Sequence, residues 1–478
     1  MEIISWLEQN KEQFFKLSDQ IWELAEPSFG EYESSELQAS FLEDKGFDVK
    51  RGIAEIPTAF VASYGKGKPI IAILGEYDAL PGLSQKAVPY KEPIEGKDYG
   101  HGCQHNLLGT AGVAAVVTLK EYMEKNGIKG TIRYYGCPAE EAGSGKTFMV
   151  KAGVFDDVDV SLCWHPGDMT GVWGMNVLAV YSVLFRFKGR AAHAAADPYH
   201  GRSALDAVEL MNVGANYLRE HIIPEARIHY VITKGGGQPN VVPPEAEVWY
   251  YVRAPKISQV DEIYQRLIKV AKGAALMTET EVEIIFLEGN SNLLMNRTLE
   301  KIIQNNLEKV GPPIFDDNDT DFARKIRKTI SPEQLESSIS FMAKLGWITE
   351  KQKEEFKQKL FFDMVAPHVP TDLALPGSTD VGDVSWVTPT SQFLITTQTL
   401  GTPGHSWQNV AQAGTTIGKK GMIQAAKVFV LTALELFTDQ KKLEEVRKEF
   451  EEKIRNEPYK CPIPDGTKPK IKPRPVKK

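Results

Sequence analysis

Residues 69–82 read Pro69-Ile-Ile-Ala-Ile-Leu74-Gly-Glu-Tyr-Asp78-Ala-Leu-Pro-Gly82. Ile70 to Leu74 is a short, unbroken apolar run. A half-exposed strand alternates apolar and polar residues, whereas an unbroken run marks a strand buried on both faces, as in the parallel sheet of an α/β fold. The run ends in a turn, and Asp78 lies just past the strand's carboxyl end. By turn chemistry alone, Asp78 is as readily a turn former as a functional acid.

Working outward, the next informative stretch is His101-Gly-Cys103-Gln-His105-Asn-Leu-Leu-Gly109, which leads into an apolar helical run from Leu107 to Met123. His101, Cys103 and His105 are three metal-capable side chains within one turn. A buried Cys beside a capping His would give the same letters, so the stretch carries weight only with company. Gly130 to Gly136 reads as a second strand, followed by Cys137-Pro-Ala-Glu140-Glu141-Ala-Gly-Ser-Gly145. Adjacent carboxylates point in different directions, so one can hold a cation while the other faces water. Val158 to Trp164 is a third strand, ending in His165-Pro166. Gln392 to Thr397 is a fourth, followed by Gly401-Thr-Pro-Gly-His405. In open α/β sheets the ligand crevice lies outside the carboxyl ends of the strands. Four successive strands each deposit a ligand-type side chain there.

From residue 178 the pattern changes. Strands at 180–188, 227–233, 245–253 and 281–287 alternate with helices at 203–220 and 259–276, giving a βαββαβ unit. His193 stands in an Ala-rich loop of this unit, Asn240 in Gly235-Gly-Gly-Gln-Pro-Asn240, and Arg253 at a strand end. The fold expected is therefore α/β: a mostly parallel, helix-flanked sheet formed by residues 1–177 and 294–458, with an inserted α+β domain at 178–293. Residues 312–376 read as a solvated insert with helices near 331 and 348–356, and Gly377 to Trp386 as a polar loop. The tail at 459–478 is basic and Pro-rich, with seven Lys/Arg against one Asp from Lys460 onward, and is expected to be extended or disordered.

A chain of 478 residues has room for two or three domains. Its net charge of −7 argues against a general nucleic-acid binder. The N-terminus lacks a basic region followed by an apolar run, and no apolar stretch of about 18 residues is free of charge, so neither a signal peptide nor a membrane span is expected. Four cysteines in a chain this long form no disulfide pattern. A reducing, cytoplasmic setting fits.

Cys103, His105, Glu141, His165 and His405 make five mixed S, N and O ligands. That is too many for one tetrahedral site and suits two neighbouring divalent ions, zinc or manganese rather than calcium. Glu140 is left as a free acid beside them. Such a set is equipped to hydrolyse an amide or ester.

Glu76-Tyr-Asp78-Ala-Leu-Pro, His101-Gly-Cys103-Gln-His105-Asn, Pro138-Ala-Glu140-Glu141, His165-Pro, Gly189-x-x-x-His193-Ala-Ala and Gly404-His405 together resemble the amidohydrolase branch of the aminoacylase/carboxypeptidase metallopeptidases. The resemblance spans about residues 5 to 440. It implies a catalytic domain split by a lid and dimerisation domain. Cys103 would bridge two metals, one also held by Glu141 and His405, the other by His105 and His165. Glu140 would be the general base and proton donor, and Asp78 would orient a ligand. His193 would hold the oxyanion from a lid, usually the partner subunit's. Asn240 and Arg253 would meet the substrate, an N-acyl amino acid such as aminobenzoyl-glutamate or a related N-aroyl-glutamate. The assembly would be a homodimer, or a hetero-oligomer with a related subunit. The branch usually has Cys-Gly-His-Asp. Gln104 and Asn106 depart from it, the first adding bulk to a turn and the second removing a charge near the metals. A catalytically idle subunit that stabilises an active partner is the alternative reading.

Overall fold

The computed structural model describes residues 2–371 and 373–474. Its strands, in chain order, are β1 Asp48–Arg51, β2 Phe60–Lys66, β3 Ile70–Glu76, β4 Gly130–Cys137, β5 Val160–Gly167, β6 Gly171–Val172, β7 Asn176–Val177, β8 Ala179–Lys188, β9 Arg227–Lys234, β10 Glu245–Ala254, β11 Glu281–Asn290, β12 Ala374–Leu375 and β13 Thr390–Thr396. The main sheet runs β1-β2-β4-β3-β5-β13-β6. Its centre, β4-β3-β5-β13, is parallel. The flanking strands β2 and β6 pair antiparallel to it, and β1 antiparallel to β2. Every residue of β3 is buried, as its unbroken apolar run requires.

One face of this sheet is covered by the helices Glu2–Leu24, His105–Asn126, Arg297–Val310 and Thr416–Thr438, whose side chains share a single core with the strands. His105–Asn126 is buried from Leu107 through Leu119. It has no polar face because it lies between the sheet and the two long helices. Each Leu or Val it encloses stabilises the fold by about 1.5–3 kcal/mol. Thr416–Thr438 is long and apolar enough to span a bilayer, but it packs in this core, with Phe429 edge-on to Phe393. Gly145–Lys151 and Val381–Ser385 lie on the other face.

The second unit is a four-stranded antiparallel sheet, β11-β8-β10-β9, with the helices Ala204–Leu218 and Ile257–Thr278 on one face. Along β10, Ala246, Val248, Tyr250 and Val252 are buried, and Glu247, Trp249, Tyr251 and Arg253 alternate with them. That period of two sends Arg253 to the face opposite the helices. β9 is an edge strand, with Tyr230, Val231 and Ile232 exposed on it.

Three sequence expectations fail. Residues 312–376 are not a solvated insert. Ile339, Met342, Leu345, Trp347, Phe356 and Phe362 form a buried cluster with Met175, Leu394 and Leu400. These residues are spread over short pieces of chain, so no one window displays a stripe. Ser331 does cap the helix Pro332–Lys344, accepting from the Gln334 N–H at 3.2 Å. The helix expected at 348–356 is instead a 3₁₀ turn, Glu350–Gln352, leading into Lys353–Gln358. Gly377 to Trp386 is not a polar loop, because Val381–Ser385 is a helix and Asp380 and Asp383 are fully buried. The tail is extended, but 459–474 is tied down. Tyr459 donates to Asp383 at 3.0 Å, Lys151 to the Ile463 carbonyl at 3.0 Å, and the Lys472 N–H to the Phe29 carbonyl at 3.0 Å. Residues 475–478 lie outside the described residues.

Candidate metal centre

The carboxyl ends of β3, β4 and β5 open onto the turn at 101–105. In that turn Gln104 takes a left-handed backbone conformation (φ 60°), unusual for a residue with a side chain. Its amide offsets the strain. Nε2 donates to Asn409 Oδ1 at 2.7 Å and to Gln398 Oε1 at 3.0 Å, and Oε1 accepts from Thr397 at 2.6 Å. The added bulk therefore pins the turn to the loops around Thr397 and Asn409. It presents Cys103 to the crevice.

Two groups of ligand atoms share the Cys103 thiol. Cys103, His105 and His165 form one, and Cys103, Glu141 and His405 the other, with all atoms of each group within 4.8 Å of one another. Cys103 Sγ lies 3.3 Å from His165 Nε2, and Glu141 Oε2 lies 3.4 Å from His405 Nε2. Ligands about 2.0–2.3 Å from a tetrahedral ion stand about 3.3–3.8 Å apart, so these spacings suit a shared ion. The rings are oriented for it. His105 Nδ1 bonds Asp78 Oδ1 at 2.9 Å, and His165 Nδ1 bonds the Pro166 carbonyl at 2.7 Å, which leaves both Nε2 atoms to the cluster. His105 Nε2 and Glu141 Oε1 are buried without a hydrogen-bond partner. Unpaired buried polar atoms are rare, and a cation would satisfy both.

Asp78 ties the cluster together, since its other oxygen accepts from Ser28 at 2.8 Å and from the Glu141 N–H at 2.9 Å. Burial alone would raise its pKa, but the His105 bond and charge hold it at about 2. Burial pushes Glu141 up to about 7 and Glu140 well above the carboxylate range, the latter helped by the charges of Glu76 and Glu141. Burial pushes His165 down to about 4. For His105 burial is outweighed by Glu76 and Asp78, which raise it. The cluster opens into a cavity of about 680 Å³ whose walls include Glu140, Trp173, Phe341, Ser378 and His405. Phe341 comes from the 312–376 stretch, in which the sequence gives no sign of a role.

Two residues near the cluster turn away from it. His101 is fully buried with Nε2 on the Ile21 carbonyl at 3.0 Å and belongs to neither ligand group. Asn106 donates to Ser18 at 3.1 Å and to the Ala413 carbonyl at 3.3 Å. Asn106, next to His105, turns its side chain toward the Glu2–Leu24 helix. The lid residues divide. Arg253 reaches the cavity rim, donating to Ser378 at 2.9 Å, with its guanidinium over Tyr251. His193 and Asn240 lie side by side on exposed loops, joined by Ala194 N–H to the Asn240 carbonyl at 2.9 Å, and neither lines this chain's cavity. His193 Nδ1 accepts from Ala195 and Ala196 N–H at 3.2 and 3.0 Å. The neutral ring therefore carries its proton on Nε2, facing outward.

Sequence reasoning missed Glu76, Lys146 and Asp380. Lys146 is fully buried, between Glu76 Oε1 at 2.5 Å and Asp380 Oδ1 at 2.7 Å. A usable signal was Glu76 itself, a carboxylate closing a wholly apolar strand two residues before Asp78.

A sulfur, imidazole and carboxylate cluster at the mouth of a parallel sheet, beside an inserted α+β unit, defines a metal-dependent hydrolase with a separate second domain. Residues 180–278 match the family described as peptidase dimerisation domain. The chain is 47% identical over 466 residues to one of the subunits of p-aminobenzoyl-glutamate hydrolase from Escherichia coli (strain K12), covering 97% of each chain. It is 28% identical over 469 residues to Xaa-Arg dipeptidase of Mus musculus, covering 94% of this chain and 92% of that one. A solved structure of a dinuclear metal binding peptidase of the M20 family from Bacillus subtilis superposes with a TM-score of 0.55 at 17% identity, over 89% of this chain and 98% of that one. The chain belongs to the M20 family of metal-dependent amidohydrolases and peptidases.

Proposed function

We propose that the chain hydrolyses the amide bond of an N-acyl amino acid, with aminobenzoyl-glutamate or a related N-aroyl-glutamate as substrate. The observation that carries this is the Cys103 thiol common to two ligand groups, with Glu140 outside both of them at the cavity wall. The name of the Escherichia coli relative supports the choice of substrate.

Two divalent ions, zinc or manganese, would be held by Cys103 as bridge, one with Glu141 and His405, the other with His105 and His165. When bound, they supply Lewis acidity toward the scissile carbonyl and a water. Glu140 takes the proton of the attacking water and returns it to the leaving nitrogen. Asp78 fixes the His105 ring. Arg253, at the rim, offers a planar fork that matches a substrate carboxylate. His193 Nε2–H donates to the oxyanion, and Asn240 beside it meets the scissile carbonyl or the substrate carboxylate. A contribution from the partner subunit is supported by neither residue lining the cavity of its own chain.

The match of 180–278 to a dimerisation domain and the exposed apolar edge strand β9 support assembly through the lid. That surface is satisfied equally by a homodimer and by a hetero-oligomer with a related subunit. Four free cysteines suit a reducing, cytoplasmic setting. The test is an assay of the purified chain, reconstituted with zinc or manganese, against aminobenzoyl-glutamate, other N-acyl amino acids and Xaa-Arg dipeptides. Release of aminobenzoate is expected. A chain that binds two ions and cleaves none of these would instead be an idle subunit.

A further inference from the structure

Two sequence stretches remain without a role, Gly143-Ser-Gly-Lys146-Thr147 and Gly377-Ser-Thr-Asp380-Val-Gly-Asp383. They interlock behind the metal centre. The Lys146 N–H donates to Asp380 Oδ2 at 2.8 Å and its ammonium to Asp380 Oδ1 at 2.7 Å, while Thr147 donates to Asp383 at 2.8 Å. A fully buried ammonium is costly unless paired, and Asp380 already pairs it. Glu76 is a second carboxylate on the same lysine, leaving the trio one negative charge in excess.

The surplus is directed. Lys146 engages only Oε1 of Glu76, at 2.5 Å. Oε2 faces away from the lysine and stands 3.2 Å from His105 Nε2. At that distance a hydrogen bond would be ordinary, yet His105 Nε2 is a buried atom with no hydrogen-bond partner. Oε2 thus lies within ion-pair distance of the ring atom that His105 turns to the ligand cluster. Glu140 offers a third atom to the same place, all within 4.8 Å of one another. Neutralisation of Lys146 accounts for Oε1 alone; Oε2 is the oxygen that Glu76 turns to His105 and the ligand cluster.

We infer that Glu76 is a further metal-facing carboxylate, directed at the ion held by His105 and His165, and that Lys146 and Asp380 are positioning residues that turn its free oxygen toward that ion. The inference rests on the metal pair proposed above. It makes the two metal positions unequal: the His105–His165 position gains an oxygen anchored to a rigid buried trio, and the Glu141–His405 position does not.

The experiment is a titration of the full-length chain with zinc in competition with a chromophoric chelator, resolving two dissociation constants. In the wild type two ions per chain are expected. In Glu76→Gln two ions are still expected, one weakened by about 10–100-fold, the scale for altered metal surroundings, and the other within two-fold of wild type. Glu76→Asp keeps the charge toward Lys146 and withdraws the free oxygen. It is expected to weaken the same ion, and it decides the matter if Glu76→Gln does not fold. The paired change Lys146→Met with Asp380→Leu removes one charge of each sign, releases Glu76, and is expected to weaken that ion too. Both constants within two-fold of wild type in the folded Glu76 variants would overturn the role of Glu76. A wild-type chain that binds fewer than two ions would overturn the metal pair as well, which separates the two failures.

Discussion

Glu140 and Glu141 are neighbours in sequence and part company in space. Glu141 is tied to Asp78 through its N–H and faces His405, while Glu140 turns toward Glu76 and His105. That division fits the roles proposed for them, Glu141 as a metal ligand and Glu140 as the proton carrier. Glu140→Gln is expected to keep both ions and the fold, and to lower kcat by at least ~10²-fold, as measured by steady-state kinetics alongside metal analysis. Asp78→Ala acts differently, since it frees the His105 ring, the Glu141 N–H and Ser28 at once. A loss of metal affinity of about 10–100-fold is expected, read by chelator competition. At this scale the sequence was informative about side chains whose chemistry is scarce. Cys, His and paired Glu at strand ends have few other uses, so Cys103, His165 and Glu141 could be singled out. Lys146 could not. Its meaning depends on Glu76 and Asp380, far away in the chain, and nothing local distinguishes a buried lysine from an exposed one. The direction of Asn106 was not legible either, because the direction of a side chain on a helix depends on what packs against that helix.

Among elements, β3 and β5 were legible because parallel strands buried on both faces are written as unbroken apolar runs. The four lid strands were legible from period-two alternation and their spacing. The 312–376 stretch was not, because its core is assembled from short pieces around Phe356 and Phe362. The helix just before that stretch carries a separate pH dependence. Arg297–Val310 begins with two N–H groups, Arg297 and Thr298, each donating at 2.8 Å to the Glu449 carboxylate. Burial alone would raise the pKa of Glu449, but Lys453 and these two N–H groups hold it at about 2. The folded value lies below the ordinary carboxylate value, so the unfolded chain binds the extra proton first. This stabilisation is complete above the unfolded value near 4.5 and is lost as pH falls toward 2. Glu449→Gln is expected to lower stability by about 1–3 kcal/mol at pH 7, with the gap to wild type narrowing below pH 4.5. Denaturant unfolding at the two pH values checks this. A gap of equal size at both would assign the effect to packing.

For the molecule as a whole, the proposed oxyanion donor is not among the described residues that line the cavity. His193 and Asn240 are exposed on the lid, and the lid has an open edge at β9. If the donor crosses from one protomer to its partner, inactive His193→Ala mixed with inactive Glu140→Gln should regain part of the activity once the protomers exchange. A mixed dimer then owns one site with an intact Glu140 and its partner's intact donor. His193→Ala alone is expected to lose ~10²–10³ in kcat with its metals in place. No recovery in proven mixed dimers would place the donor in its own chain or nowhere. The central claim, however, is that one thiol joins two metal positions, and the direct measurement is the metal content of the reconstituted chain with and without Cys103. Two divalent ions per wild-type chain are expected, with both positions weakened together in folded Cys103→Ala. Two ions held as tightly in Cys103→Ala as in the wild type would contradict it.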